Sequence, residues 1–152
     1  MLKNLQKTKD QKGFTIIEVL IVLAIAGLIL LIVFLAVPAL QRNSRDTSRK
    51  NDVSRILGAT QEVVNNNGGD LTKLTTANLK AAVGTMGYYD PTNVTVGAKL
   101  TADTTSTNTD DVTVYPSSTC KDAQTAKGGT SRQIAVLYAV ESGGGTSQCT
   151  SS

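Results

Sequence analysis

Apolar and polar residues follow three different patterns along this chain, each predicting a different element. From Val19 to Val37 there is no period, because nearly every residue is Leu, Ile, Val, Ala or Phe and none is charged. A bilayer core about 30 Å thick needs roughly 20 helical residues, so the run is long enough to span one. It is also longer than the apolar region of a secretory signal, about 7–15 residues. Further on, Val53, Ile56, Leu57, Thr60, Val63 and Val64 fall on one face of a helix. The polar stretch Gln41–Asp52 between the two has no apolar stripe, and reads as a solvated neck or a surface against other subunits. Two charge pairs are expected on it and just after it, Asp46 with Lys50 and Asp52 with Arg55. Gly58 weakens the helix by about 1 kcal/mol relative to Ala, and would admit close packing of a sheet. Asn65-Asn66-Asn67-Gly68-Gly69 ends the helix with residues that tolerate positive φ.

Beyond residue 70 the period shortens. Leu71–Val83 holds one or two helical turns, with Thr75 or Thr76 as N-cap. Met86–Asp90 and Pro91 form a turn or edge segment. Residues 93–97, 112–116 and 132–141 alternate β-branched and other residues, which predicts three short strands. In the last, Ile134, Val136, Tyr138 and Val140 share one face, and Ala135, Leu137 and Ala139 the other. The predicted fold class is α+β: a long N-terminal helix, half transmembrane and half amphipathic, packed on a small antiparallel β-sheet head. The sheet would rest on Val53, Ile56, Leu57 and Val64.

Charge changes this picture only at the N-terminus. Lys3, Lys7, Lys9 and Lys12 against Asp10 account for the whole net charge of +3, so the remainder is neutral and gives no case for nucleic acid. Lysines before a membrane segment favour the cytoplasm. Arg42, Arg45, Arg49, Lys50 and Arg55 follow on the other side, however, and charge alone leaves the orientation open. The chain has no His, which removes Ser-His-Asp and Cys-His nucleophile arrangements and the common zinc sites. No catalytic residue and no cofactor is expected. Asp103, Asp110 and Asp111 in the Thr- and Asp-rich segment 98–111 lack calcium-loop spacing, so that segment reads as a solvated loop and no metal site is assigned. Asn93-Val94-Thr95 fits the glycosylation pattern, yet this Asn also suits the start of a strand. Gly128-Gly129 and Gly143-Gly144-Gly145 lack the setting of a phosphate cradle.

The residue with chemistry to explain is Glu18. A carboxylate in lipid costs on the order of 2.5–3.5 kcal/mol or more, and by default marks a function. The bland explanation is an acid snorkelling at the cytoplasmic edge of a single-pass anchor. A second explanation follows if the chain is cut after Gly13. Phe14 then carries a new α-ammonium one turn from Glu18, and both charges sit in an apolar medium wanting partners. The Phe14 amine of another copy would neutralise Glu18 and set the register between neighbouring helices. Glu18 and Phe14 are then assembly residues.

Lys12-Gly13-Phe14-Thr15-Ile16-Ile17-Glu18-Val19-Leu20 resembles the class III leader of type IV pilins and of the pseudopilins of type II secretion and competence systems. The likeness covers roughly Lys12 to Gln41. It implies that a membrane prepilin peptidase cuts between Gly13 and Phe14, that the Phe14 amine is methylated, and that the subunit joins a helical homopolymer with its apolar helix inside. The chain would be a single-pass protein of the cytoplasmic membrane before assembly and part of an extracellular pilus afterwards, with the pilus assembly machinery as a further partner. The implied organisation is a leader (1–13), an apolar transmembrane and assembly helix (14–40), its amphipathic continuation (41–66) and a β-sheet head (67–152). Gly27 matches the family's small residue, whereas the proline falls later than usual, at Pro38. Either is a point of helix flexibility, or else Gly27 serves close packing and Pro38 a bend near the membrane surface. A head placed outside the cell, with the even pair Cys120 and Cys149, favours a disulfide, as the family often has. The function implied is that of a pilin. The alternatives are a pseudopilin of a secretion or DNA-uptake system, or a single-pass membrane-anchored binding protein.

Overall fold

The computed structural model describes residues 13–152. The leader lysines and Asp10 lie outside them. The chain divides into two units, Met1–Pro38 and Ala39–Ser152, and each is described by itself.

Both units draw on one helix, α1, Ile16–Asn66. In the first unit the Thr15 hydroxyl caps it, accepting the Glu18 N–H at 3.3 Å. The large apolar residues from Phe14 to Leu35 are all exposed, and Phe14 is 84 % so. Pro38 lies inside α1 and is the last residue of this unit.

In the second unit α1 ends in a Schellman cap. The Gly69 N–H donates to the Val64 carbonyl at 2.9 Å and the Gly68 N–H to Asn65 at 3.1 Å, with positive φ at both glycines. A one-turn 3-10 helix, Leu71–Lys73, leads to α2 (Thr76–Val83), whose N-cap is Thr75. Six strands follow: β1 (Val94–Val96), β2 (Val112–Pro116), β3 (Ser118–Cys120), β4 (Ala126–Gly128), β5 (Ile134–Val140) and β6 (Thr146–Ser151). The main sheet runs β1-β2-β5-β6, and β3 and β4 form a separate hairpin.

The α+β layout stands, with two differences. β1 and β2 run parallel, with Val94 opposite Val112, while the remaining pairs are antiparallel, so the main sheet is mixed. The connection through residues 97–111 is long enough for a crossover, which parallel strands require. Second, β3, β4 and β6 were not expected. They are rich in Ser, Thr, Lys and Gln and lack the β-branched alternation that marks a strand in sequence.

β5 is buried along its whole length and divides the core. Ile134, Val136, Tyr138 and Val140 pack with Val53, Ile56 and Val63 of α1, against which Leu57 and Val64 also lie. Ile56 is fully buried, worth about 1.5–3 kcal/mol. On the opposite face Ala135 and Leu137 meet Ala126, with Leu100, Tyr115 and Cys149 around them. Gly58 does not serve the sheet: a Cβ placed there meets nothing within 4 Å.

Candidate functional site

At the N-terminal site, Gly13 and Phe14 precede the first helical turn in irregular, exposed backbone. That conformation leaves their peptide bond open to another protein. One turn on, Glu18 is exposed among apolar neighbours. Together with Phe14, Val19, Val22 and Leu23 it lines a shallow hollow of about 240 Å³. Glu18 is the one charged residue in an exposed apolar surface that continues to Leu40. Contiguous apolar surface of this extent is not left in water and marks contact with lipid or other protein. At Gly27 an added Cβ would meet nothing within 4 Å, so the helix backbone is bare there. Among the described residues this is the one helix long and apolar enough to cross a membrane, by length and composition.

A second polar site lies in the other unit, and the sequence reading did not expect it. The stretch that reads as a solvated neck or a surface against other subunits is pinned to the head. Asp46, Arg49 and Asp52 are buried, and Arg49 is fully so. Arg49 pairs with Asp46 at 2.8 Å and with Glu141 at 2.7 Å. It also donates to the Thr109 carbonyl at 3.2 Å and to the Tyr88 hydroxyl. Its guanidinium stands 4.1 Å from the centre of the Tyr88 ring. Arg45 adds a second cation on Glu141. Asp46 accepts the Glu141 and Ser142 N–H groups at 2.8 Å each. Asp52 accepts those of Gly87, Tyr88 and Tyr89 at 2.9, 2.6 and 3.0 Å. The expected partners Lys50 and Arg55 are therefore not taken. Both carboxylates turn into the head, where buried N–H groups need acceptors and water is excluded.

The electrostatics agree with this geometry. Burial alone would raise the pKa of Asp46, but hydrogen bonds from Ser142, Glu141 and Arg49 outweigh it and hold the group at about 2. Arg45 first, then Arg49, pull Glu141 down to about 2. Burial raises the pKa of Tyr89, whose hydroxyl has no hydrogen-bond partner. Every carboxylate oxygen of Asp46 and Asp52 is engaged, so these groups clamp loops rather than move protons. Three loops meet on Arg49: 86–89, 107–110 and 141–145.

A signal for the cluster was present in the sequence. Asp46, Arg49, Val53, Ile56, Thr60 and Val63 follow one another at spacings of 3, 4, 3, 4 and 3. The buried stripe runs on into charged positions.

Cys120 of β3 and Cys149 of β6 form a disulfide with Cα atoms 5.7 Å apart, joining the hairpin to the main sheet. In segment 98–111, Asp103 pairs with Lys121. The segment is largely exposed, yet Thr104 bonds Ala126 in both directions and Ser106 donates to Ser147. Asn93 closes a 3-10 turn begun by Pro91, and β1 starts at Val94. Among the described residues no group of three or more Asp, Glu or Cys is placed to hold a metal ion.

Residues 8–34 match the prokaryotic N-terminal methylation motif, the class III prepilin leader of type IV pilins and pseudopilins. The match includes Gly13, Phe14, Glu18 and Gly27. It ends before Pro38 and does not reach the head. Neither a curated protein nor a solved structure is significantly similar to the chain. The motif and the exposed apolar helix together support a membrane-anchored protein of the pilin-like or pseudopilin type.

Proposed function

We propose that this chain is a pilin, a structural subunit of a type IV filament, cut between Gly13 and Phe14, methylated on the Phe14 amine and polymerised through its apolar helix. One observation carries the reading. A single carboxylate, Glu18, stands in an otherwise uncharged exposed surface, one turn after the Gly-Phe bond of a methylation motif. Left alone in lipid it costs on the order of 2.5–3.5 kcal/mol or more. A protonated α-amine from a second copy removes that cost and fixes the stagger of the two helices. Before assembly the helix crosses the cytoplasmic membrane once; afterwards the other copies replace lipid around it. Gly27 lets helices approach closely, and Pro38 gives the helix a place to bend. The head lies outside the cell, where a disulfide persists. In this reading the organisation is leader, apolar helix, amphipathic helix and head, with the prepilin peptidase and the assembly machinery as partners. The motif serves pseudopilins equally. A subunit that dominates sheared surface filaments is a pilin, and one absent from them is a pseudopilin.

The test is the intact mass of the protein from its own cells, beside that of a Glu18→Gln variant. The expected wild-type mass lacks residues 1–13 and carries one methyl group. The variant is expected to form far fewer filaments than the wild type. A wild-type protein that still begins at Met1, or a variant that assembles normally, refutes the proposal.

A further inference from the structure

We propose that Asn67–Gly68, at the cap that ends α1, is a site of spontaneous deamidation whose rate is set by opening of that cap. Asparagine is among the thermolabile residues. The backbone nitrogen of the following residue can attack the side-chain carboxamide, and a Cβ on that residue hinders the approach. Gly68 has none, and Asn67 is the one asparagine in this sequence followed by glycine. In the reaction the Gly68 nitrogen loses its proton and bonds to Cγ of Asn67. The Cγ–Nδ2 bond breaks and ammonia leaves, giving a five-membered imide. Water then opens the ring to an aspartyl or isoaspartyl residue.

The structure holds both reacting groups away from this course. The Asn67 side-chain amide donates to the Val63 carbonyl at 2.7 Å. The Gly68 N–H donates to the Asn65 carbonyl at 3.1 Å. Attack needs both bonds broken, which amounts to fraying the last helical turn. That turn is exposed, and Asn65, Gly68 and Gly69 also wall a surface hollow of about 340 Å³ with Val64, Leu71 and Arg132. Water, the second reactant, therefore has access. Terminal turns open at far lower free energy than the core.

The product cannot rebuild the same cap. A carboxylate has no proton for the Val63 carbonyl, and its charge lies at the negative end of the helix dipole. An isoaspartyl link also adds a methylene to the main chain between residue 67 and the positive-φ glycines. The change thus works as a one-way loosening of the junction between α1 and the 3-10 turn at Leu71–Lys73.

The experiment uses the full chain in detergent at mildly alkaline pH, beside the same chain reduced and unfolded in urea. Peptide masses and fragmentation follow the conversion of amide to acid and the isoaspartyl link. Both samples are expected to convert at Asn67, the folded one roughly tenfold more slowly, with Asn65 and Asn66 unchanged in both. A folded chain still intact when the unfolded one has converted fully would overturn the inference, as would equal rates in the two. In parallel, Asn67→Asp is expected to melt below the wild type and Asn67→Gln close to it. Equal melting of the Asp variant and the wild type would overturn the loosening.

Discussion

Replacing Arg49 by Met tests whether the buried polar cluster holds the head to its helix. The guanidinium is fully buried, with partners on α1, on the Tyr88 loop, at Thr109 and at Glu141. Removing one member of a buried pair costs roughly 3–5 kcal/mol, because the other charge stays behind. Here the lower end applies. Asp46 keeps two backbone donors and Glu141 keeps Arg45. The Thr109 carbonyl and the Tyr88 ring lose their cation, and methionine fills much of the volume. A loss of about 3 kcal/mol should lower the melting temperature by roughly 12 °C for a domain of this size. All four tyrosines lie in this unit and the chain has no tryptophan, so the tyrosine band of the near-UV circular dichroism of the full chain in detergent reports on it alone. Arg49→Lys should fall between, since an ammonium cannot span the same partners. Lys50→Met, one residue away and exposed, should change stability by no more than about 0.5 kcal/mol. An Arg49→Met variant that melts with the Lys50→Met control would refute the clamp.

Acid should open the same cluster. Asp46 and Glu141 both have folded pKa values of about 2, against ordinary values of 3.8 and 4.5. Their stabilisation is complete above those ordinary values and lost as pH falls through about 2, with Asp46 contributing about 2 kcal/mol. A pH titration of the tyrosine signal between 5 and 1, with and without Asp46→Asn, measures it; a wild type indifferent to that range contradicts it. Reduction of Cys120–Cys149, which are 29 residues apart, should cost about 3–4 kcal/mol on the chain-entropy estimate, read as a lower melting temperature in thiol. Gly58→Ala should stabilise the isolated chain by up to about 1 kcal/mol, because its Cβ enters open space on a helix, and denaturant melts would show a higher midpoint.

The elements legible in the sequence were those whose stability comes from a repeating apolar face. The α1 stripe from Val53 to Val64 and the two-faced pattern of β5 are of this kind, because burial needs one residue type at one period. The Asn/Gly run at the end of α1 was legible for a different reason, since positive φ limits the residues allowed. β3, β4 and β6 carry no such mark. They are held by pairing with strands distant in sequence and by the disulfide, which composition does not record. The parallel run of β1 beside β2 was hidden too, since strand direction depends on the route of residues 97–111. Asp46, Arg49 and Asp52 were misread because their charges suggest water, and the spacing that Asp46 and Arg49 share with Val53 was outweighed by residue type. At the N-terminal site residue type works the other way. Glu18 stood out in sequence because it is the exception in its run.

The head also closes off the usual route of β-protein association. A bare strand edge is a template for another chain. Here β1 is three residues long, and its Val96 N–H is taken by the Thr76 hydroxyl. At the other edge the Cys149 N–H of β6 donates to the Ala123 carbonyl, and Ser147 bonds both Gln124 and Ser106. The outer face of β5 is covered by the residues around Ala126. What remains exposed is the apolar surface of the first unit, with one acid in it. Polymerisation built on that surface can be specific only if something fixes the stagger of otherwise slippery helices. Glu18 is the charged group in that surface able to do so. Reversing its charge, by Glu18→Lys, should therefore be worse than removing it, because two like charges would then oppose each other at the same level. If Glu18→Lys assembled as well as Glu18→Gln, register would have to come from the packing of the apolar side chains themselves.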